Sequence, residues 1–260
     1  MEENQQYFGK NIEFSIIRRI AIIKLNRTHR SNSFTIPFLR ELENALNFCQ
    51  HHEKVKVIIL TANGTSFSTG MDLGEITKYD YNDVKELERR AASICKILYN
   101  GKPVICAING RTLGEGVVFL TCCDYRIAVQ GSFFQMPEIN SAIFPGTGCV
   151  SLFSKIIGIS WTKKMLMFAE RINARKAITI GLIDEIVEDN VLLTTALEKA
   201  KFLSTKNQTV LNAIKILTNH LHDRTFSKAY KLEKIGSDWY RFPDKAKFLA
   251  ELKENFEWTP

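Results

Sequence analysis

Uninterrupted apolar runs alternate with amphipathic segments along the first half of the chain. Three runs predict buried strands: VKVIILTA (55–62), PVICAI (103–108) and DYRIAV (124–129). The segments 35–53 and 83–100 carry apolar residues at helical spacing, and Thr35 is a suitable cap for the first of them. Because the strand runs do not alternate with polar positions, both faces of their sheet must be covered. The pattern therefore predicts an α/β fold with parallel strands.

The two ends of the chain depart from this alternation. Residues 12–25 (IEFSIIRRIAIIKL) predict two strands with a tight reversal near Arg18 and Arg19. From about residue 146 onward the pattern is nearly all helical, interrupted by IDEIVED. No linker separates the two parts. We therefore expect an α/β core over residues 1–195 and a helical C-terminal region over 196–260.

Composition narrows the class of protein. The chain has 260 residues, 45% hydrophobic and 24% charged, with a net charge of +7. The basic residues are dispersed, so a solvated basic surface and a specific anion site stay equally open. No basic cluster interleaved with aromatic residues occurs, so no nucleic-acid partner is expected. Six cysteines without a C-x-x-C pair suit a reducing compartment and predict no metal site. No apolar run approaches the ~20 residues of a membrane span, and the polar N-terminus does not resemble a signal peptide. We expect a cytoplasmic protein, and an organellar location stays open.

Two glycine-containing loops are the candidate site, because each follows a buried strand. They are SFSTGMDL (66–73) and GRTLGEG (110–116). Ligands of α/β folds bind at the carboxyl ends of parallel strands. A helix is expected directly after GEG, and its first N–H groups would favour a negatively charged oxygen. GRTLGEG matches neither a dinucleotide fingerprint nor a phosphate-binding loop. The alternative is that the glycines only permit turns.

Five segments in a fixed order resemble the crotonase family, the enoyl-CoA hydratase/isomerase superfamily. They are KLNRTHRSNSF, FSTGMDL, KPVICAINGRTLGEGVVFLTCCDYRIA, FFQMPEINSAIFPGTG and ARKAITIGLIDEIVE. The resemblance extends from about residue 12 to the C-terminus. It implies a crotonase-like ββα spiral core with a helical C-terminal trimerisation region. It also implies an acyl-CoA substrate, no separate cofactor, and assembly into homotrimers or hexamers.

The resemblance assigns roles to residues of both loops. The backbone N–H groups of Met71 and Glu115 correspond to the family's oxyanion hole for the thioester oxygen. Their side chains are then expected only to leave the site open. Substrate or CoA contacts are expected from six further residues: Arg27, His29, Arg30, Ser68, Asp72 and Gly114. We expect Asp72 to form structural hydrogen bonds rather than to act as an acid. For the Arg27–Arg30 segment, the alternative is a solvated basic loop.

Only one of the family's two acid–base glutamates is present in this sequence. Hydratases that resemble this chain use two glutamates, and one of the two positions is occupied here by Val118. The other is Glu138, in MPEIN. One carboxylate can move one proton, as in the Δ3,Δ2-enoyl-CoA isomerases of the family. The sequence thus favours isomerisation with Glu138 as the proton carrier.

Other activities of the same fold stay open. They are enoyl-CoA hydration and C–C bond cleavage, decarboxylation or formation on acyl-CoA thioesters. A non-catalytic protein that binds acyl-CoA or RNA is a further alternative. Glu115 could replace the missing acid, although a satisfied or exposed charge at a helix N-terminus is the simpler interpretation.

Overall fold

The computed structural model describes residues 6–221 and 244–254, which fold into two β-sheets covered by helices. The strands of these residues are β1 (Ile12–Ile17), β2 (Ile20–Leu25), β3 (Val57–Ala62), β4 (Ser66–Ser68), β5 (Val104–Ile108), β6 (Arg111–Leu113), β7 (Tyr125–Val129), β8 (Phe133–Gln135), β9 (Ile172–Asn173) and β10 (Glu185–Val187). Their α-helices are α1 (Ile36–His51), α2 (Leu73–Ile76), α3 (Tyr81–Asn100), α4 (Glu115–Thr121), α5 (Cys149–Met167), α6 (Ala174–Thr179), α7 (Leu192–Ser204), α8 (Gln208–Leu221) and α9 (Lys245–Glu254).

The larger sheet has six strands in the order β1-β2-β3-β5-β7-β10. β1 and β2 form the expected antiparallel hairpin, which reverses at Arg18 with a positive φ of 57°. The remaining neighbours pair in parallel. The predicted α/β fold with parallel strands is therefore confirmed. Thr35 caps α1 by accepting a hydrogen bond from the N–H of Phe38, as its position before the apolar periodicity predicts.

Both faces of this sheet are buried along its central strands β3 and β5, which explains why these strands carry no apolar–polar alternation. One face packs against α7, through a cluster that includes Ile59, Ile105, Ile127, Ala196 and Ala200. The other face belongs to a larger apolar core shared with α1, α3 and α4. Alternate residues of one strand thus enter different cores.

A smaller sheet, with strand order β4-β6-β8-β9, was not predicted from the hydrophobic pattern. Its strands have only two or three residues, which is too short for a periodicity to be recognised. It changes the interpretation of GRTLGEG. Residues 111–113 form a strand that pairs with β4 and β8, between a bend at Gly110 and the turn at Gly114 directly before α4.

The C-terminal helices pack on the core. Residues 195 and 196, where we expect the core to end, both lie within α7. α9 packs on α8, and its Phe248 is buried. Part of the expected helical region, residues 222–243 and 255–260, lies outside the described residues. In the part of the chain that the structure describes, no helix is both long and apolar enough to cross a bilayer.

Candidate active site

The two glycine-containing loops meet at the ends of β4 and β6. Gly70 and Gly114 both have positive φ, 77° and 53°, which favours glycine. A Cβ on Gly70 would lie 2.9 Å from the carbonyl oxygen of Leu113 and 3.1 Å from the backbone nitrogen of Glu115. Only a residue without a side chain permits this approach. The contact brings Met71 and Glu115, one residue beyond each glycine, to the same place.

The N–H of Met71 points away from the β-bridge that the neighbouring residues form with Phe34. The carbonyl of Gly70 accepts from the N–H of Phe34 at 2.8 Å, and the N–H of Asp72 donates to the carbonyl of Phe34 at 2.9 Å. In extended backbone, the intervening N–H then points to the opposite side. Glu115 begins α4, so its N–H has no intrahelical acceptor. Their use as an oxyanion hole stays a prediction.

A cavity of about 910 Å³ opens at this junction. Its wall includes residues from both loops, from α3 and from the segment 143–147, among them Thr69, Met71, Leu87, Gly114, Glu115, Glu138 and Thr147. Most of the surface is apolar side chain, with the two glutamates as acidic groups beside the glycine loops. A thioester with an acyl tail suits such a wall, because few polar groups are needed to orient it.

Glu138 stands directly against Gly114. A Cβ on Gly114 would lie 2.7 Å from Oε1 of Glu138, so this glycine leaves room for the carboxylate. Oε2 is buried and has no hydrogen-bond partner among the described residues. Burial raises the pKa of Glu138 above its usual range. A carboxylate in the cavity wall with one oxygen unpaired is a suitable proton acceptor.

The side chain of Glu115 lies in the cavity wall rather than in solvent. Of the two forms expected for it, a satisfied or an exposed charge, the exposed form is excluded, and both oxygens have partners. The residue is 9% exposed. Oε2 accepts a hydrogen bond from Oγ1 of Thr147 at 3.0 Å, and Oε1 lies 3.9 Å from Sγ of Cys95. Burial raises its pKa to about 7, and the charge of Glu138 adds to the rise. Thr147 and Cys95 were missed in the sequence, because they lie 32 and 20 residues from Glu115 and carry no local signal.

Val118 occupies the position where hydratases that resemble this chain have an acid. It is 1% exposed and belongs to the apolar core, and it does not appear among the described residues of the cavity wall. Its side chain has no group that transfers protons. The carboxyl groups of the wall next to the glycine loops are thus those of Glu115 and Glu138.

Asp72 and Arg27 hold the first loop together, which agrees with the structural role expected for Asp72. Asp72 is 4% exposed, and its Oδ2 accepts from Arg27 Nη1 at 2.7 Å and from Ser33 Oγ at 2.9 Å. Oδ1 pairs with Arg30 Nη2 at 3.1 Å. It also accepts a hydrogen bond from the N–H of Glu75, and Asp72 thereby caps α2. These contacts fix the backbone on which Met71 lies.

The other predicted contact residues lie away from the cavity wall. Ser68 is fully buried; its hydroxyl donates to the carbonyl of Asn32 and accepts from the N–H of Gly70. His29 is exposed in a 3-10 turn, and the Arg30 side chain is half exposed. The observed contacts of Ser68 and Asp72 are internal to the protein. Contacts of the predicted residues with substrate or CoA stay predictions.

Comparison with known proteins identifies the family. The sequence model described as "Enoyl-CoA hydratase/isomerase" matches residues 16–247. A crotonyl-CoA hydratase of Syntrophomonas wolfei is 27% identical over 86% of this chain and 87% of its own length. A trans-2-decenoyl-[acyl-carrier-protein] isomerase of Streptococcus mutans is 30% identical over 70% of this chain and 72% of its own length. The crystal structure of an enoyl-CoA hydratase from Bacillus anthracis superimposes with a TM-score of 0.85 at 26% identity, covering 94% and 96% of the two chains.

The chain belongs to the enoyl-CoA hydratase/isomerase family. The crotonase resemblance and the fold class that it implies are confirmed. The protein is an enzyme of this family that processes acyl-CoA thioesters. Relatives of both kinds, hydratase and isomerase, match it, so the reaction must be argued from the site.

Proposed function

We propose that this enzyme converts Δ3-enoyl-CoA into Δ2-enoyl-CoA, with Glu138 as the proton carrier. The observation that supports it is the presence of one carboxyl, Glu138, together with valine at position 118 in place of the other. Glu138 places Oε1 beside Gly114 and leaves its buried Oε2 without a hydrogen-bond partner among the described residues, while the position of the hydratases' other acid is a core valine. One base beside an oxyanion hole is sufficient for an allylic proton shift.

The thioester carbonyl oxygen accepts hydrogen bonds from the N–H groups of Met71 and Glu115. Negative charge develops on this oxygen when a proton leaves C2, so donors that are already in place stabilise the dienolate. One such donor contributes about 3–4 kcal/mol to the lowering of the barrier. The backbone contact between Gly70 and Glu115 keeps both donors fixed before substrate arrives.

Glu138 then removes the C2 proton. The electron pair of the C2–H bond enters the dienolate, and reprotonation at C4 places the double bond between C2 and C3. The raised pKa of Glu138 suits this task, because a carboxylate with a higher pKa is a stronger base. No water is added, so substrate and product have equal mass.

The first prediction concerns Glu138→Gln. We expect the turnover of 3-enoyl-CoA to fall by about 10²–10⁴-fold, because the amide cannot accept the C2 proton. Product is followed by chromatography with mass detection, on a panel of 3-enoyl and 2-enoyl thioesters. Glu170→Gln is the matched control, since Glu170 is exposed and lies outside the cavity wall. Equal turnover by Glu138→Gln and the native enzyme would refute the proposal.

Hydration is the second candidate, favoured by the carboxyl of Glu115. With Glu138 it supplies two carboxyl groups on one cavity wall, the number that water addition uses. The same mass measurement separates the reactions. Rapid addition of one water to crotonyl-CoA, detected as the corresponding gain in mass, would favour hydration over isomerisation.

A further inference from the structure

The Glu115 carboxyl has an environment unlike that of an ordinary helix N-terminal charge. It is buried in the cavity wall, and the two side chains that contact its oxygens, Thr147 and Cys95, are neutral donors. Among the described residues it forms no ion pair with lysine, arginine or histidine. A buried carboxyl without a cation is stabilised in its protonated form.

The two glutamates lie on either side of one glycine. Oε1 of Glu138 occupies the space that a Cβ on Gly114 would need, and Glu115 is the next residue in the chain. Two carboxyl groups that share a cavity of low polarity do not ionise together, because each charge opposes the other. Glu138 is the more exposed of the two, so its ionised form keeps more contact with water and is the less costly one. The wall therefore holds one base and one acid at the same time.

We propose that Glu115 is a second catalytic residue, which donates the proton that enters at C4 while Glu138 removes the proton from C2. The inference rests on the proposed isomerisation. It assigns two functions to one residue. The backbone N–H of Glu115 binds the thioester oxygen, and its side chain protonates the far end of the dienolate.

The step is balanced. The C2–H bond breaks, and the proton forms an O–H bond on the Glu138 carboxylate. The π electrons of the C3=C4 bond take the proton of the Glu115 carboxyl, which forms the new C4–H bond, and the dienolate pair forms the C2=C3 bond. Afterwards Glu138 is protonated and Glu115 is ionised. Glu138 then releases its proton to solvent water and Glu115 takes a proton from solvent water, which restores the starting state without oxidant or reductant.

Titratable groups from several elements face Glu115. Burial raises the pKa of Glu115, the charge of Glu138 adds to the rise, and Cys95 of α3 contacts the carboxyl. Cys149 of α5 is buried near both carboxyls, which contribute to raising the pKa of its thiol. Further charged groups of the cavity wall come from α3, and they are Lys85, Glu88, Arg89 and Lys96. With its pKa raised to about 7, Glu115 can exchange protons at neutral pH.

Isotope transfer in the native enzyme tests the inference without any substitution. 3-Enoyl-CoA carrying deuterium at C2 is converted in H₂O, and the hydrogen at C4 of the product is identified by mass spectrometry or NMR. We expect C4 to carry hydrogen from solvent, because Glu115 is the donor. Transfer of deuterium from C2 to C4 would overturn the inference and leave the isomerisation by Glu138 intact.

Glu115→Gln separates the two proton transfers, because the backbone donor stays in place. In D₂O, we expect this variant to exchange the C2 hydrogen while isomerisation falls at least 100-fold. Glu138→Gln should lose both, and persistence of exchange in Glu138→Gln would refute the proposed function instead. Isomerisation by Glu115→Gln within twofold of the native rate, or loss of both exchange and isomerisation by a folded Glu115→Gln, would overturn the inference.

A second variant covers the possibility that Glu115→Gln does not fold. Thr147→Val removes the hydroxyl that donates to Oε2 of Glu115, and so the carboxylate becomes less favourable. If Glu115 must be protonated, the rate falls as pH rises through its pKa. We expect this alkaline limb of the pH–rate profile to move to higher pH in Thr147→Val. An unchanged limb would overturn the inference, since a purely structural Thr147 would lower the rate without moving it.

Discussion

Single residues decide what this member of the family can do. This chain has valine at position 118, where hydratases resembling it have a carboxyl, and it has the other carboxyl, Glu138. Glu115 adds a carboxyl at a position where the backbone alone was expected to act. Its burial follows from the contact of the two loops, which turns the first residue of α4 toward the cavity.

The burial of Glu115 also predicts a pH-dependent stability. Its pKa rises from 4.5 to about 7 in the folded protein, so ionisation opposes folding. Its contribution is fully favourable below pH 4.5 and is lost as the pH rises to about 7. We expect Glu115→Gln to raise the free energy of unfolding by about 3 kcal/mol at pH 8, relative to its effect at pH 4. Denaturant titrations at both pH values measure this, with Glu170→Gln as the control. A pH-independent difference would contradict it.

At the scale of elements, the loop after β4 is held by an ion-pair network rather than by regular secondary structure. Asp72 joins Arg27, Arg30 and Ser33 to the first turn of α2. Burial acts to raise the pKa of Asp72, but the hydrogen bonds from Arg27, Arg30 and Ser33 outweigh it and hold the pKa well below its usual range. The loop thus depends on an ionised Asp72.

We expect Asp72→Asn to destabilise the protein by about 3 kcal/mol, because the largely buried Arg27 loses its counter-ion. The contribution of Asp72 is present above pH 4 and is lost as the pH falls through its depressed pKa. The native and variant proteins should therefore converge in stability toward low pH, as measured by thermal unfolding. Glu75→Gln, which alters the exposed i,i+3 pair of Glu75 in α2 with Lys78, should cost less than about 1 kcal/mol, as is usual for surface ion pairs. Equal losses in both variants would contradict the network's role.

At the scale of the whole molecule, a buried cation is among the contacts that attach α8 to the α/β core. The Nζ of Lys215 donates to Asp124 Oδ2 at 2.7 Å and to the carbonyl oxygens of Leu98 and Lys102 at 2.6 and 3.3 Å. The same Asp124 oxygen accepts from the N–H of Val104, at the start of β5. The helical C-terminal region and the central sheet are thereby coupled.

Lys215→Ala should lower the free energy of unfolding by about 3 kcal/mol, because Asp124 and two carbonyls lose their buried donor. Lys201→Ala, an exposed substitution on α7, should change it by less than about 0.5 kcal/mol. Chemical denaturation of the full chain measures both. A Lys215→Ala protein as stable as Lys201→Ala would show that the C-terminal helices do not depend on this contact.

Much of the fold was predictable because its cause is local. Burial of both faces is visible in runs such as VIIL and VICAI. Helical spacing predicts the ends of α1 and α3 to within about two residues of the observed bounds, which is the usual uncertainty of helix ends. The second sheet was not predictable, since each of its strands has at most three residues and is defined by partners far along the chain.

The sequence by itself determined the family, the two glycine loops, the absence of an acid at position 118 and the presence of Glu138. Each of these is a matter of which residue stands at which position. Only the tertiary structure decided what happens to the side chain of Glu115. Its burial, its contacts with Thr147 and Cys95 and its proximity to Glu138 arise from segments brought together by folding. The protonation of a carboxyl depends on that surrounding volume, which no local pattern of residues specifies.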